Sequence, residues 1–169
     1  MSLTFVIGGA RSGKTSYALR ECLARPARRR VMIATAQALD EEMAARIARH
    51  RQERGEDWVT VEAPLAMAAA IGDLRAGDAA VIDCLTLWLS NLLLGDLDVA
   101  QALEDLCAAL VESPADLVVV SNEVGQGIVP DNPLARRFRD EAGRMHQALA
   151  AVADRAFMIV AGLPVTLKA

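Results

Sequence analysis

Apolar residues in this chain gather in two ways, and the difference separates strands from helices. Residues 5–7, 31–34, 79–82, 117–120 and 157–160 are short unbroken apolar runs, most of them closed by glycine or a polar residue. Such runs suit strands covered on both faces, as in a parallel sheet. Residues 58–62 alternate instead and stop at Ala63-Pro64, the pattern of a short strand. Apolar positions three and four apart predict helices from Lys14 to about Arg25, ended by Pro26, within 65–78 before a Gly77-Asp78 turn, and over 85–94 and 100–111. Asn132-Pro133 opens a long helix with an N-cap and a first-turn proline. Its stripe of Leu134, Phe138, Ala142, Met145, Leu149 and Val152 leaves Arg136, Arg137, Arg139 and Arg144 for phosphate or subunit contacts and turns His146 to solvent. Arg28-Arg29-Arg30 reads as a solvated turn before a strand. A short segment at 165–167, after the turn Gly162-Leu163-Pro164, can return antiparallel at one edge. Strands alternating with helices imply one α/β domain over residues 1–169, three layers deep around a mainly parallel sheet.

The first strand runs directly into Gly8-Gly9-Ala10-Arg11-Ser12-Gly13-Lys14-Thr15 and then into a helix. This is G-x-x-x-x-G-K-T in the setting its chemistry needs. Glycines let successive backbone N–H groups point at an anion without a Cβ in the way, and the helix start adds its positive dipole end. Lys14 can reach the β and γ oxygens of a nucleotide, and the Thr15 hydroxyl is placed for Mg²⁺. With this loop the expected arrangement becomes a three-layer P-loop NTPase (RecA-like) fold.

Other candidates lie where parallel strands end, the edge at which such sheets bind ligands. Asp83 closes the run 79–82 as a second Mg²⁺ ligand would, although an aspartate there also suits the cap of the next helix. Thr35, after 31–34, reads equally as a nucleotide contact or a turn residue. The polar loop Ser121-Asn122-Glu123-Val124-Gly125-Gln126-Gly127-Ile128-Val129-Pro130 marks a substrate site. A helix capped by Asp40 carries Met43, Ile47 and His50 on one face, with Arg46, Arg49, Arg51 and Arg54 around the imidazole. A lone inward histidine is usually structural, whereas four guanidiniums around one suit work on a polyphosphate.

Composition narrows the classes further. Aromatic residues make up 4% against 53% hydrophobic, so the core must be built from aliphatic and small side chains. A net charge of −4 supplies no broad attraction to nucleic acid or an anionic membrane. Cys22, Cys84 and Cys107 are widely spaced and read as small hydrophobes of a cytoplasmic protein. There is no signal-peptide pattern at the N-terminus, and no apolar run approaches the length of a membrane span.

Taken together, the motif from Gly8 to Thr15, Ile33-Ala34-Thr35, the Asp40 helix leading to His50, Asp83-Cys84-Leu85-Thr86-Leu87-Trp88 with Asn91, and the loop from Ser121 to Pro130 through Arg136, Arg139 and Arg144 resemble the bifunctional adenosylcobinamide kinase/adenosylcobinamide-phosphate guanylyltransferases. The resemblance runs over nearly the whole chain. It implies phosphorylation of adenosylcobinamide with ATP or GTP, then transfer of GMP from GTP through a guanylylated histidine, with Mg²⁺ as cofactor. By position, His50 is implied as the nucleophile. Gly8 to Thr15, Ile33, Ala34, Thr35, Arg51, Gln52, Glu53, Arg54, Glu62 and Asp83 are implied as nucleotide contacts, and the assembly as a homotrimer. The residues alone leave open a simple P-loop kinase with a structural His50, or a regulatory nucleotide-binding module.

Overall fold

The computed structural model describes residues 1–36 and 57–169. In chain order the elements are β1 (Leu3–Gly8), α1 (Lys14–Leu23), β2 (Arg29–Ala34), β3 (Trp58–Glu62), α2 (Met67–Gly72), β4 (Asp78–Asp83), α3 (Leu85–Leu94), α4 (Val99–Glu112), β5 (Asp116–Asn122), α5 (Pro133–Val152), β6 (Arg155–Val160) and β7 (Leu163–Lys168). The strands form one sheet in the order β3-β2-β4-β5-β1-β6-β7. Every described pairing is parallel except β6 with β7, which closes the sheet antiparallel at its edge as the turn at Gly162 predicts.

The apolar runs become inner strands because both of their faces are covered. Side chains alternate between two clusters, as the period of two requires. Phe5, Ile7, Val31, Ile33, Ile82, Leu117 and Val119 join a core with residues of α2, α3, α4 and α5. Val6, Met32, Val81, Val118 and Val120 face the other way, onto Tyr17, Ala18 and Cys22 of α1. Each large aliphatic side chain buried this way contributes about 1.5–3 kcal/mol relative to exposure. At the start of α5, Asn132 Oδ1 accepts from the N–H groups of Leu134 and Ala135 at 2.8 and 3.2 Å, with Pro133 in the first turn, as its sequence predicts.

Several expectations are corrected. Arg29 and Arg30 belong to β2 and not to a solvated turn, and Asp78 begins β4 in place of completing a turn. One fact accounts for both. Arg29 donates to Asp78 through Nε at 3.1 Å and Nη2 at 2.5 Å across paired strands, so charge that seemed to demand solvent is neutralised in the ladder. The predicted helix within 65–78 is confined to Met67–Gly72. Ser121 and Asn122 continue β5 and are not loop residues, pairing with Ile7 and Gly8.

The Arg29 hydrogen bond holds the Asp78 carboxyl below its ordinary value, against burial, with further help from the Arg75 N–H. A depressed carboxylate contributes stability above its unfolded value of about 3.9 and loses it as pH falls through the folded value. Arg29 is 43% exposed, so solvent screens the pair. Asp78→Asn is expected to cost about 1–2 kcal/mol at pH 7. Urea titrations stepped downward in pH should show the gap to wild type closing; a gap unchanged down to about pH 2 would contradict the assignment.

Candidate active site

β1, β2, β4 and β5 end at one edge of the sheet, at Gly8, Ala34, Asp83 and Asn122. The loop from Gly8 to Gly13 curls over that edge into α1. At Gly8 a Cβ would lie 2.7 Å from the Ile159 carbonyl and from Ser12 Oγ, so only glycine allows this packing. Gly13 stands at φ +92, in the left-handed region, and hands the chain to α1. The loop is braced by Ser12 N–H to Gly9 O at 3.3 Å and by Gly162 N–H to Ser12 O at 2.9 Å, the latter from the turn between β6 and β7. α1 starts at Lys14, so its first N–H groups, which have no partner within the helix, open toward the loop.

Lys14 is 8% exposed and donates from Nζ to Gly9 O at 2.8 Å, so its ammonium lies folded against the loop that should hold phosphate. Ser12 Oγ is buried and has no hydrogen-bond partner among the described residues, a feature compatible with an anion in the cradle. Thr15 Oγ1 donates to Asp83 Oδ2 at 2.8 Å. The two residues singled out for Mg²⁺, 68 positions apart, therefore touch. A hydroxyl and a carboxylate beside a phosphate cradle are the hard oxygen donors that Mg²⁺ takes, so the residues fit the ion.

The remaining sequence candidates are distributed as follows. Ile33 and Thr35 are fully buried. The Thr35 hydroxyl donates to Cys84 O at 2.8 Å and accepts from Cys84 N–H at 2.9 Å, while Asn91 Nδ2 donates to Thr35 O at 3.1 Å. These contacts pin the residue after Asp83. Ala34 ends β2 opposite Asp83. Glu62 ends the edge strand β3, four strand positions from β1, or roughly 19 Å at ~4.8 Å per strand. His50, Arg51, Gln52, Glu53 and Arg54, together with the Asp40 helix start, lie outside the described residues.

His146 is corrected. Its side chain is 11% exposed, and Nε2 lies 2.8 Å from Ser121 Oγ. The buried face of α5 takes in residue 146 beside Met145 and Leu149, a stripe wider than the apolar residues alone indicated. Burial pushes the imidazole pKa down, with the Glu123 carboxylate opposing that shift. Beside it, Asn122 Nδ2 donates to Thr86 Oγ1 at 2.6 Å. Neither contact was visible in the sequence beyond the polar triplet that follows 117–120. Three arginines expected to stand free have partners: Arg136 holds Pro130 O and Asp131 O, Arg139 meets Asp140, and Arg144 meets Glu141.

A family model described as cobinamide kinase/cobinamide phosphate guanyltransferase matches residues 4–167. The bifunctional adenosylcobalamin biosynthesis protein CobP of Pseudomonas aeruginosa is 49% identical, over 96% of this chain and 95% of that protein. CobU of Salmonella typhimurium, with the same description, is 43% identical over 98% of this chain and 99% of its own. Among solved structures, the flagellar accessory protein FlaH from Methanocaldococcus jannaschii superposes with TM-score 0.52 at 12% identity, covering 99% of this chain and 78% of that one. A solved ATPase domain superposes with TM-score 0.51 at 14% identity, covering 93% of this chain and 68% of that one. These two share the fold, and the RecA-like expectation stands. With the family model spanning residues 4–167 and relatives 43% and 49% identical over nearly their whole length, the chain belongs to the cobinamide kinase/cobinamide phosphate guanyltransferase family, the bifunctional enzymes of adenosylcobalamin biosynthesis.

Proposed function

We propose that one domain over residues 1–169 carries both reactions on one nucleotide site: phosphorylation of the aminopropanol hydroxyl of adenosylcobinamide by ATP or GTP, then transfer of GMP from GTP through His50. The observation that carries the nucleotide site is the contact of Thr15 with Asp83 beside Lys14 at the start of α1. The loop of Gly8, Gly9, Ala10, Arg11, Ser12 and Gly13 wraps the phosphates, with the backbone N–H groups that do not brace the loop or the sheet turned to them. Lys14 swings from the Gly9 carbonyl to the β/γ oxygens, exchanging one acceptor for a charged one. Thr15 and Asp83 would hold Mg²⁺, which supplies charge neutralisation across those oxygens when bound.

For the second reaction, neutral His50 forms a bond to the α-phosphorus of GTP as the bond to pyrophosphate breaks, and the phosphate of adenosylcobinamide phosphate then displaces the imidazole. Arg51 and Arg54 offset charge on the leaving pyrophosphate, with Gln52 and Glu53 on the same stretch. Intact mass after incubation with Mg²⁺ and GTP tests this reading, since label from the α-phosphate, and not the γ-phosphate, should stay on the protein.

The same reading places the protein in the cytoplasm as a homotrimer. Among the described residues no helix is long and apolar enough to cross a membrane. The helices at 85–94 and 100–111 bury Leu85, Trp88, Leu89, Leu106 and Leu110 and leave Leu94 and Val111 exposed. Exposed apolar surface lies also on β6 and β7, at Val160, Leu163, Val165 and Leu167. A contact there between copies would cover it. Light scattering at micromolar concentration should give three chains per particle and fewer for Val165→Asp; a monomer mass for wild type rejects the assembly.

A further inference from the structure

β5 runs between the strand that ends in the P-loop and the strand that ends at Asp83. Its last residue, Asn122, pairs with Gly8, and the following N–H, that of Glu123, donates to Gly8 O at 2.8 Å. Glu123 therefore emerges between the phosphate loop and the Thr15–Asp83 pair. Strand spacing puts those two flanks about 10 Å apart. The backbone of Glu123 is thus one hydrogen bond from the first residue of the loop that leads to Lys14 and Thr15.

The carboxylate is aimed. Oε1 accepts from Gly125 N–H at 2.5 Å, and Oε2 lies 3.8 Å from His146 Nδ1. His146 is held in turn by Ser121 Oγ at 2.8 Å from Nε2 and by the Phe5 ring at 5.8 Å. With Nδ1 turned toward a carboxylate, the favoured tautomer keeps its proton there, and Nε2 accepts from the Ser121 hydroxyl. Exposure rises outward along this row, from Ser121 at 0% through His146 at 11% to Glu123 at 21%. A serine–histidine–glutamate row suggests a hydrolase triad, yet Ser121 has no surface from which to attack a substrate, and 3.8 Å is too long for a hydrogen bond. Only the Glu123 end of the row has surface enough to meet a substrate. A carboxylate beside a triphosphate raises the energy of the complex unless a proton lies between them, and the acceptor alcohol brings that proton.

We propose that Glu123 is the general base of the kinase reaction and that His146 is its positioning residue. The step rests on the nucleotide site proposed above. The alcohol O–H breaks and its proton passes to Glu123 Oε as the alcohol oxygen bonds to the γ-phosphorus. The bond from γ-phosphorus to the β-bridging oxygen breaks, and the nucleoside diphosphate leaves with the electron pair. Glu123 then releases the proton to solvent. Guanylyl transfer needs no such base, because its acceptor is already an ionised phosphate.

The test is steady-state kinase kinetics of the full-length protein with cobinamide, Mg²⁺ and ATP. Glu123→Gln, which can accept a hydrogen bond but cannot take the proton, is expected to lower kcat by at least about 100-fold, with KM for ATP little changed. Glu123→Asp should recover part of that loss. His146→Ala should lower kcat about tenfold, and His146→Asn, which keeps a polar group facing the Glu123 carboxylate, should restore part of it. Wild-type kcat in Glu123→Gln overturns the base, as does loss of kinase activity and GMP-adduct formation in parallel, which marks a structural residue. Wild type without kinase turnover would instead overturn the nucleotide-site reading itself.

Discussion

His50→Asn is expected to gain no mass on incubation with Mg²⁺ and GTP, under conditions in which the wild-type protein acquires one GMP. Guanylyl transfer should be lost with it, while phosphorylation of adenosylcobinamide continues, because an alcohol attacking a γ-phosphate needs no covalent enzyme intermediate. The wild-type adduct should behave as a phosphoramidate, labile in acid and stable in alkali. A structural His50 predicts the opposite pattern: no adduct on wild type, and a variant that melts earlier and loses both activities together. The structure sharpens the comparison. The chain has two histidines, and His146 lies 11% exposed with Nε2 against Ser121 Oγ, poorly placed to attack a nucleotide. A well-folded His50→Asn that still transfers GMP at the wild-type rate would remove the covalent route as proposed.

Lys14→Ala should depress both activities, the kinase by on the order of 1,000-fold, equivalent to about 4 kcal/mol of transition-state stabilisation. The physical reason is the position of the ammonium. It is 8% exposed, bound to the Gly9 carbonyl at 2.8 Å, and one residue from the Thr15–Asp83 contact. A charge already withdrawn from bulk water has little hydration left to lose when phosphate arrives, so its absence is felt most as charge moves onto the leaving oxygen. Folding should suffer less than turnover, since a carbonyl acceptor in the loop can be satisfied by water. Kinase turnover of Lys14→Ala within about twofold of wild type, under roughly half a kcal/mol, would show that this loop does not hold the reacting phosphates.

Much of this protein is written locally. Residues 5–7, 79–82 and 117–120 have no polar side chain to show to water, so they read as inner strands before any partner is known, and all three are inner strands. Asn132-Pro133 announces its helix because a cap is made within three residues of itself. The P-loop is legible for the same reason: its glycines, lysine and threonine stand within eight positions. What tertiary structure decided involves partners far apart in the chain. Arg29 sits in a strand against Asp78, 49 residues on, a pairing that exists only once β2 and β4 meet. Thr15 and Asp83 were each marked for a metal, but their contact depends on β4 ending beside β5 and β1 at one edge. His146 looked solvent-facing because polarity is read residue by residue, whereas burial of an imidazole depends on an acceptor or donor waiting opposite. Ser121 and Glu123 supply that opposite face, and parallel pairing of β5 with β1 brings Glu123 to the P-loop across more than a hundred residues of chain, a register that no local pattern specifies.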